Sequence, residues 1–86
     1  MVEVELYGLA RLYAGAERCA VAPGPLRAVL RSLAAALPGL EPAIVADGRP
    51  SEHVLVALDG QELLADLDAP IADGAVIVLL SAQAGG

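Results

Sequence analysis

The sequence contains no lysine, phenylalanine or tryptophan, and it has one cysteine and one histidine. Without Phe or Trp, the core has to be built from Leu, Val and Ile, with Tyr7 and Tyr13 as the only aromatic rings. A single cysteine, Cys19, cannot form an internal disulfide, which is typical of a reducing compartment. No apolar run is long enough to cross a bilayer, and the first residues carry acids where a signal peptide needs bases. We therefore expect a soluble, cytoplasmic protein that does not bind membranes.

Positive charge is also scarce. The net charge is −6 at pH 7, and all five basic side chains are arginines scattered along the chain. The phosphate backbone of a nucleic acid would be repelled, so nucleic-acid binding is not expected. A protein partner with a basic cleft fits this charge balance better.

Motifs for catalysis and metal binding are missing. His53 has no Cys or His at ligand spacing, so no metal site is predicted. Cys19 alternates with Val21 and is interpreted as a small core residue. The glycine in "PGPL" lacks the lysine and spacing of a phosphate-binding loop, and there is no Ser-His-Asp or Cys-His set. We expect no bound cofactor and no stand-alone enzyme.

Hydrophobic periodicity predicts the first half of the fold. "VEVELY" alternates apolar and polar residues, which predicts a half-buried strand, and "ERCAVA" predicts a second strand antiparallel to it. Between them, "LARLYAGA" is interpreted as a turn with Gly15 as its breaker. In "PGPLRAVLRSLAAALPG" the apolar residues recur at helical spacing, with Pro25 in the first turn, Pro38-Gly39 at the end, and Arg27 and Arg31 on the solvent side.

The second half of the chain has a less regular hydrophobic pattern. "LEPAIVADGRPSEH" reads as an irregular connection with a turn at Asp47-Gly48, and "HVLVALDG" as a strand that ends at Asp59-Gly60. "QELLADLDAPIADG" is compatible with either a short strand or a helical turn. The final "AVIVLLSA" is apolar at nearly every position, which predicts a central strand covered on both faces.

This order of elements predicts one α+β domain. A strand pair, one main helix, a further strand and a central last strand are the sequence of elements in the β-grasp, or ubiquitin-like, fold with its mixed sheet. We assign residues 1–80 to this domain and 81–86, "SAQAGG", to a flexible C-terminal Gly-Gly tail.

The residues also resemble a known family, the ubiquitin-like sulfur carriers. That family includes the small subunit of molybdopterin synthase and the sulfur carrier of thiamin biosynthesis. The resemblance spans nearly the whole chain and is carried by "VEVELYGLARLYAG", "LRAVLRSLAAALPGLEPAI", "VLVALDGQ" and "APIADGAVIVLLSAQAGG". This chain has Ser81-Ala82-Gln83 where the molybdopterin subunit commonly has a proline pair, and Tyr7-Gly8 where it often has Phe.

The resemblance implies a function for the tail. The carboxylate of Gly86 would be adenylated by a ubiquitin-activating-type enzyme that uses ATP, and then converted to a thiocarboxylate by a sulfur donor protein. Gly85, Ala84 and Gln83 would be the binding residues that enter the partner's channel. The acceptor would most directly be the large subunit of molybdopterin synthase, with this chain as its non-catalytic, sulfur-donating small subunit.

Other functions stay open at this point. The sulfur acceptor could equally belong to thiamin, cysteine, tRNA or specialised-metabolite chemistry. The chain could also be a protein modifier conjugated through Gly86, or a β-grasp binding module with an incidental Gly-Gly. Since it has no lysine, it should form no isopeptide chains on its own side chains.

Overall fold

A mixed β-sheet and one covering helix form the framework of the protein. The computed structural model describes residues 1–81. In chain order the elements are β1 (Val2–Tyr7), α1 (Leu9–Ala14), β2 (Arg18–Val21), β3 (Gly24–Pro25), α2 (Leu26–Ala36), a 3₁₀ turn (Pro38–Leu40), β4 (Val45–Ala46), β5 (Arg49–Pro50), β6 (Val54–Leu58), β7 (Glu62–Leu63), β8 (Pro70–Ile71) and β9 (Val76–Ser81).

The main sheet has the strand order β2-β1-β9-β6-β7. Strands β1 and β9 are parallel, with Val4 opposite Ile77, and the other pairs of this sheet are antiparallel. The last strand therefore lies in the middle of the sheet, and the first two strands pair as predicted. This arrangement confirms the predicted α+β, β-grasp fold.

Helix α2 covers one face of the sheet, as its periodicity predicts. Its residues on the apolar stripe are fully buried, whereas Arg27 is half-buried and Arg31 is exposed. The buried helix residues share one hydrophobic core with alternate residues of β1 and β9, which point to the same side of the sheet. The buried helix residues are Leu26, Val29, Leu30, Leu33 and Ala34.

The stretch after β1 corrects one prediction. "LARLYAGA" does not simply turn the chain, because Leu9–Ala14 form the short helix α1 before the chain bends at Gly15. Six residues are too few to form a stable helix alone, since helix nucleation is costly. Packing provides the missing stabilisation: Ala10 is fully buried and Leu9 contacts the core. Sequence periodicity over so short a segment could not reveal this.

The connection over residues 40–52 contains a hairpin. Strands β4 and β5 pair antiparallel, and the turn predicted at Asp47-Gly48 joins them. Both turn residues have positive φ, 53° and 73°, which a type I′ turn requires. The tip of the hairpin lies on α2, where Asp47 accepts a hydrogen bond of 3.2 Å from Arg31. Gly48 is buried there, and a Cβ on it would lie 2.9 Å from Cγ of Arg27.

Residues 61–74 hold two short strands. Strand β7 pairs with the end of β6, following the turn at Asp59-Gly60, and β8 pairs with β3 next to the start of α2. Strand, rather than helical turn, is therefore the outcome for this segment. Each strand has only two residues, so its conformation depends on the partner it pairs with and leaves no periodic signal in the sequence.

Gly39 allows a close approach between the 3₁₀ turn and α1. A Cβ at this position would overlap the backbone carbonyl oxygen of Tyr13. We expect Gly39→Ala to lower the free energy of unfolding by about 1–3 kcal/mol, the usual cost of overpacking, as measured by urea denaturation. Because the overlap is with a backbone atom, adding Tyr13→Ala should not restore stability. Equal denaturation midpoints for Gly39→Ala and the wild type would contradict this packing.

Candidate functional site

The central strand carries the chain toward the predicted tail. Leu80, near the end of β9, lies between Tyr7 of β1 and Leu55 of β6. Ser81 is the last described residue and is opposite Val54, while a Cβ on Gly8 would lie 3.6 Å from the Cβ of Ser81. The chain beyond Ser81 therefore starts at one end of the sheet, between the ends of two neighbouring strands.

The predicted site residues follow this point. Gln83, Ala84, Gly85 and Gly86 lie outside the described residues, so the structure tests neither their roles nor their contacts. What it provides is the position of Ser81 and the surfaces that surround it.

One of these surfaces is an apolar patch on the sheet face opposite α2. We call it the open face, and it corrects the prediction that β9 is covered on both sides. Ile77 and Leu79 are buried beneath the helix, but Leu80 is 42% exposed on the other face. The cause is that, within residues 1–81, a single helical layer lies over the main sheet. The open face consists of Tyr7, Leu55, Ala57, Leu63, Val78 and Leu80.

Acidic side chains border the open face along β1. Glu5 lies beside Val78, and Glu3 lies beside Val76. The Tyr7 hydroxyl donates a hydrogen bond of 3.0 Å to a Glu5 carboxylate oxygen. This hydrogen bond, together with the negative charge of Glu5, raises the pKa of Tyr7. At neutral pH Tyr7 is therefore a neutral aromatic side chain, held beside a carboxylate near the end of the sheet from which the tail begins.

A small pocket lies on another side of Ser81. Its volume is about 110 Å³, and it combines apolar walls with hydroxyl and imidazole groups. It is formed where α1, the segment before β6 and the end of β9 meet. The lining residues are Leu9, Tyr13, Ala43, Ile44, Ser51, His53, Val54 and Ser81.

The single histidine lies at the surface, and the single cysteine contacts the core, as interpreted from the sequence. His53 is exposed immediately before β6, with Nε2 3.9 Å from a Glu52 carboxylate oxygen. Cys19 is half-buried and packs against the core. Within residues 1–81, no group of three or more His, Cys, Asp or Glu side chains is arranged to hold a metal ion. Among the helices of the same residues, none has the length and apolar character needed to span a membrane.

The arrangement suits recognition by other proteins. A partner could cover the apolar open face, satisfy its acidic border with basic residues, and receive the segment that follows Ser81. Tyr7, Leu55 and Leu80 are the functional candidates that sequence reasoning missed. The signal available in the sequence was the unbroken apolar character of β9, which was taken to indicate a second covering layer.

Solved structures share this fold along the whole chain. SAMP1 from Haloferax volcanii, a small archaeal modifier protein, is 28% identical with a TM-score of 0.81, and the match covers 99% of this chain and 98% of that one. A chain of the complex of subunits 1 and 2 of molybdopterin-converting factor from Helicobacter pylori is 27% identical with a TM-score of 0.62, covering 99% and 97%. A chain of the Amycolatopsis orientalis BexX/CysO complex is 19% identical with a TM-score of 0.81, covering 100% of both.

Comparison of the amino-acid sequence with protein-family models and with curated proteins gives no match. The structural neighbours confirm the β-grasp fold and the resemblance to ubiquitin-like sulfur carriers that the sequence predicts.

Proposed function

We propose that this protein is a sulfur carrier whose Gly86 carboxylate is adenylated and then converted to a thiocarboxylate. The observation that carries the proposal is the placement of Ser81. The central strand ends beside an exposed apolar face, and the five residues that follow finish in Gly85-Gly86. The similarity to SAMP1 and to molybdopterin-converting factor over 99% of this chain supports it.

The chemistry explains why such a carrier needs partners. A carboxylate is a poor electrophile, so its oxygen has to be converted to a leaving group. Transfer of AMP from ATP, with release of pyrophosphate, produces an acyl adenylate. Sulfur at the sulfide oxidation level, delivered by the donor protein as HS⁻, then attacks the carbonyl carbon, the bond to the adenylate oxygen breaks, AMP leaves and the thiocarboxylate remains. ATP is used by the activating enzyme, and the carrier itself requires no bound cofactor.

The tail composition suits a narrow active-site channel. Gly85 and Gly86 have no Cβ, so they fit where the channel is tightest, and Ala82 and Ala84 keep the approach slim and uncharged. Five residues after Ser81 can extend at most about 18 Å. This length lets the carboxylate enter an enzyme whose surface is docked on the folded domain.

Three partner classes follow from this chemistry: an adenylating enzyme of the ubiquitin-activating type, a sulfur donor protein and an acceptor enzyme. We propose that they work in the cytoplasm, where a lone thiol such as that of Cys19 stays reduced. For the acceptor we propose an enzyme of the type of the large subunit of molybdopterin synthase. The similarity to the complex of molybdopterin-converting factor subunits supports that choice. Acceptors of thiamin, cysteine, tRNA or specialised-metabolite pathways are the alternatives. A chain of the BexX/CysO complex is also among the structural neighbours.

Intact-mass spectrometry of the protein purified from its native host tests the proposal. A carrier shows a fraction of molecules in which one C-terminal oxygen is replaced by sulfur, and alkylation by iodoacetamide at the terminus confirms the thiocarboxylate. Only unmodified chains, under conditions in which the protein is expressed and sulfur is abundant, would contradict the proposal.

A protein modifier is the second candidate, because SAMP1, a small archaeal modifier protein, is a structural neighbour at 28% identity. In that case the activated carboxylate would be transferred to lysine amines of other proteins. The same mass experiment distinguishes the two: a modifier produces larger adducts with amide bonds from Gly86 to lysine, and a carrier produces the sulfur-exchanged monomer.

The open face should act as the docking surface for the adenylating enzyme. We expect Leu80→Ser to weaken binding of that enzyme at least about tenfold, because an apolar contact at the centre of an interface is lost. The matched control is Leu12→Ser, since Leu12 is 74% exposed but lies on α1 and is not part of the open face. Isothermal calorimetry measures both. A larger effect from Leu12→Ser than from Leu80→Ser would place the docking surface elsewhere.

A further inference from the structure

Amines that could attack an activated carboxyl terminus are scarce in this chain. None of the 86 residues is lysine, and the five basic side chains are arginines, whose guanidinium groups stay protonated and do not act as nucleophiles. The α-amino group of Met1 is the amine that remains. Its position therefore decides whether an activated carrier could acylate itself.

The structure places Met1 at the end of the sheet opposite to Ser81. Strands β1 and β9 are parallel, so both begin at the same end. Met1 lies level with Gly74, whose N–H donates a hydrogen bond of 3.0 Å to the Met1 carbonyl. The Met1 ammonium pairs with the carboxylate of Asp73, and this pairing holds the pKa of that carboxyl below its usual value.

Chain geometry puts this amine out of reach of its own tail. Seven residue steps along β1 separate Met1 from Gly8, which adjoins Ser81, and they span about 23 Å at about 3.3 Å per residue. The five residues after Ser81 span at most about 18 Å even when fully extended. The carbonyl carbon of Gly86 therefore falls short of the Met1 nitrogen.

The Cys19 thiol, a second possible nucleophile, lies on the covered side of the sheet. Cys19 is opposite Val4, a fully buried residue, so its side chain points to the helix-covered side of the sheet. It is half-buried and packs against the core there.

We infer that this chain is an acyl donor that does not acylate itself, so that activation at Gly86 leads only to transfer to another molecule. This inference rests on the proposed function. The reaction avoided is aminolysis: an amine nitrogen attacks the carbonyl carbon of Gly86, the bond to adenylate breaks, AMP leaves, and a proton passes to solvent. A lysine near Ser81 would convert the activated carrier into a cyclic amide. In a modifier role, the same property excludes isopeptide-linked chains of this protein, because a second copy offers no lysine and could receive the acyl group only on its Met1 amine.

The test uses the full chain with an alkyl thioester installed chemically at Gly86, so no activating enzyme is needed. Two matched variants each replace an ion-paired arginine with lysine. Arg11 lies on α1, three residues after Gly8, which adjoins Ser81, and it pairs with Glu17 at 3.0 Å. Arg27 is near the start of α2, beside β8 and the Met1 end of the sheet, and pairs with Asp68 at 2.9 Å. Intact mass and peptide mapping then follow intramolecular amide formation at mildly alkaline pH.

We expect the wild type and Arg27→Lys to lose the thioester by hydrolysis alone, and Arg11→Lys to form at least tenfold more cyclic amide. Cyclisation of the wild type through Met1, or equal cyclisation of the two variants, would overturn the inference. Absence of cyclic product from Arg11→Lys would overturn it too, because the lack of lysine would then protect nothing. A self-acylating wild type leaves the carrier proposal standing, and absence of a thiocarboxylate in the native host contradicts that proposal alone.

Discussion

Deletion of Gly85 and Gly86 is expected to abolish adenylation by the cognate activating enzyme without changing the melting temperature. The carboxylate would then end on Ala84, two residues short of the position the enzyme acts on. Stability should be unaffected, because the buried core within the described residues 1–81 extends from Val2 to Leu79, and two glycines have no side chains to add to it. Pyrophosphate release in the presence of ATP measures activation, and calorimetry of the same samples measures the melting temperature.

Gly86→Ala is the finer version of this experiment. It keeps the length of the chain but adds a methyl group next to the reacting carbon and restricts the backbone there. We expect adenylation to fall strongly while docking through the open face, measured by calorimetric titration without ATP, stays intact. Normal adenylation and sulfur loading of the truncated chain would refute the role proposed for the tail.

Leu33→Ala is expected to have the largest effect on stability, lowering the free energy of unfolding by about 2–5 kcal/mol. Leu33 is fully buried in the centre of α2, and truncation leaves a cavity between the helix and the sheet. A small domain has only about 5–15 kcal/mol in total, so the loss is a large share of its stability. Urea denaturation followed by circular dichroism measures it.

Arg27→Ala is the matched control on the same helix. Its ion pair with Asp68 is at the surface, where such pairs contribute about 0–1 kcal/mol. We therefore expect a change within about 1 kcal/mol. If Arg27→Ala proves more destabilising than Leu33→Ala, then α2 does not pack on the sheet through the face that contains Leu33.

Sequence reasoning succeeded where one local pattern decides the structure. Helix α2 repeats its apolar residues at helical spacing and is followed by Pro38-Gly39, so its length and its buried face can both be predicted. The alternation in β1 and the unbroken apolar run of β9 likewise identify those strands. Turns at Asp47-Gly48 and Asp59-Gly60 were predictable because few residue pairs adopt positive φ at both positions.

It failed where a short segment depends on a distant neighbour. Helix α1 forms because Ala10 is buried against the rest of the fold, and strands β7 and β8 exist because β6 and β3 offer them backbone partners. None of these segments is long enough to show a period. Their structure is a consequence of tertiary packing rather than of local preference.

The candidate site also contains features that could be predicted from the sequence and features that could not. The α+β fold and the central position of the last strand could be predicted from the amino-acid sequence, because periodicity and chain order can be read from it directly. The exposed row of Tyr7, Leu55 and Leu80 beside Ser81 could not be predicted in this way, because its residues come from three separate segments. Strand pairing brings them together. They stay exposed because a single helix can cover only one face of the main sheet, and the number of covering layers is a property of the whole fold.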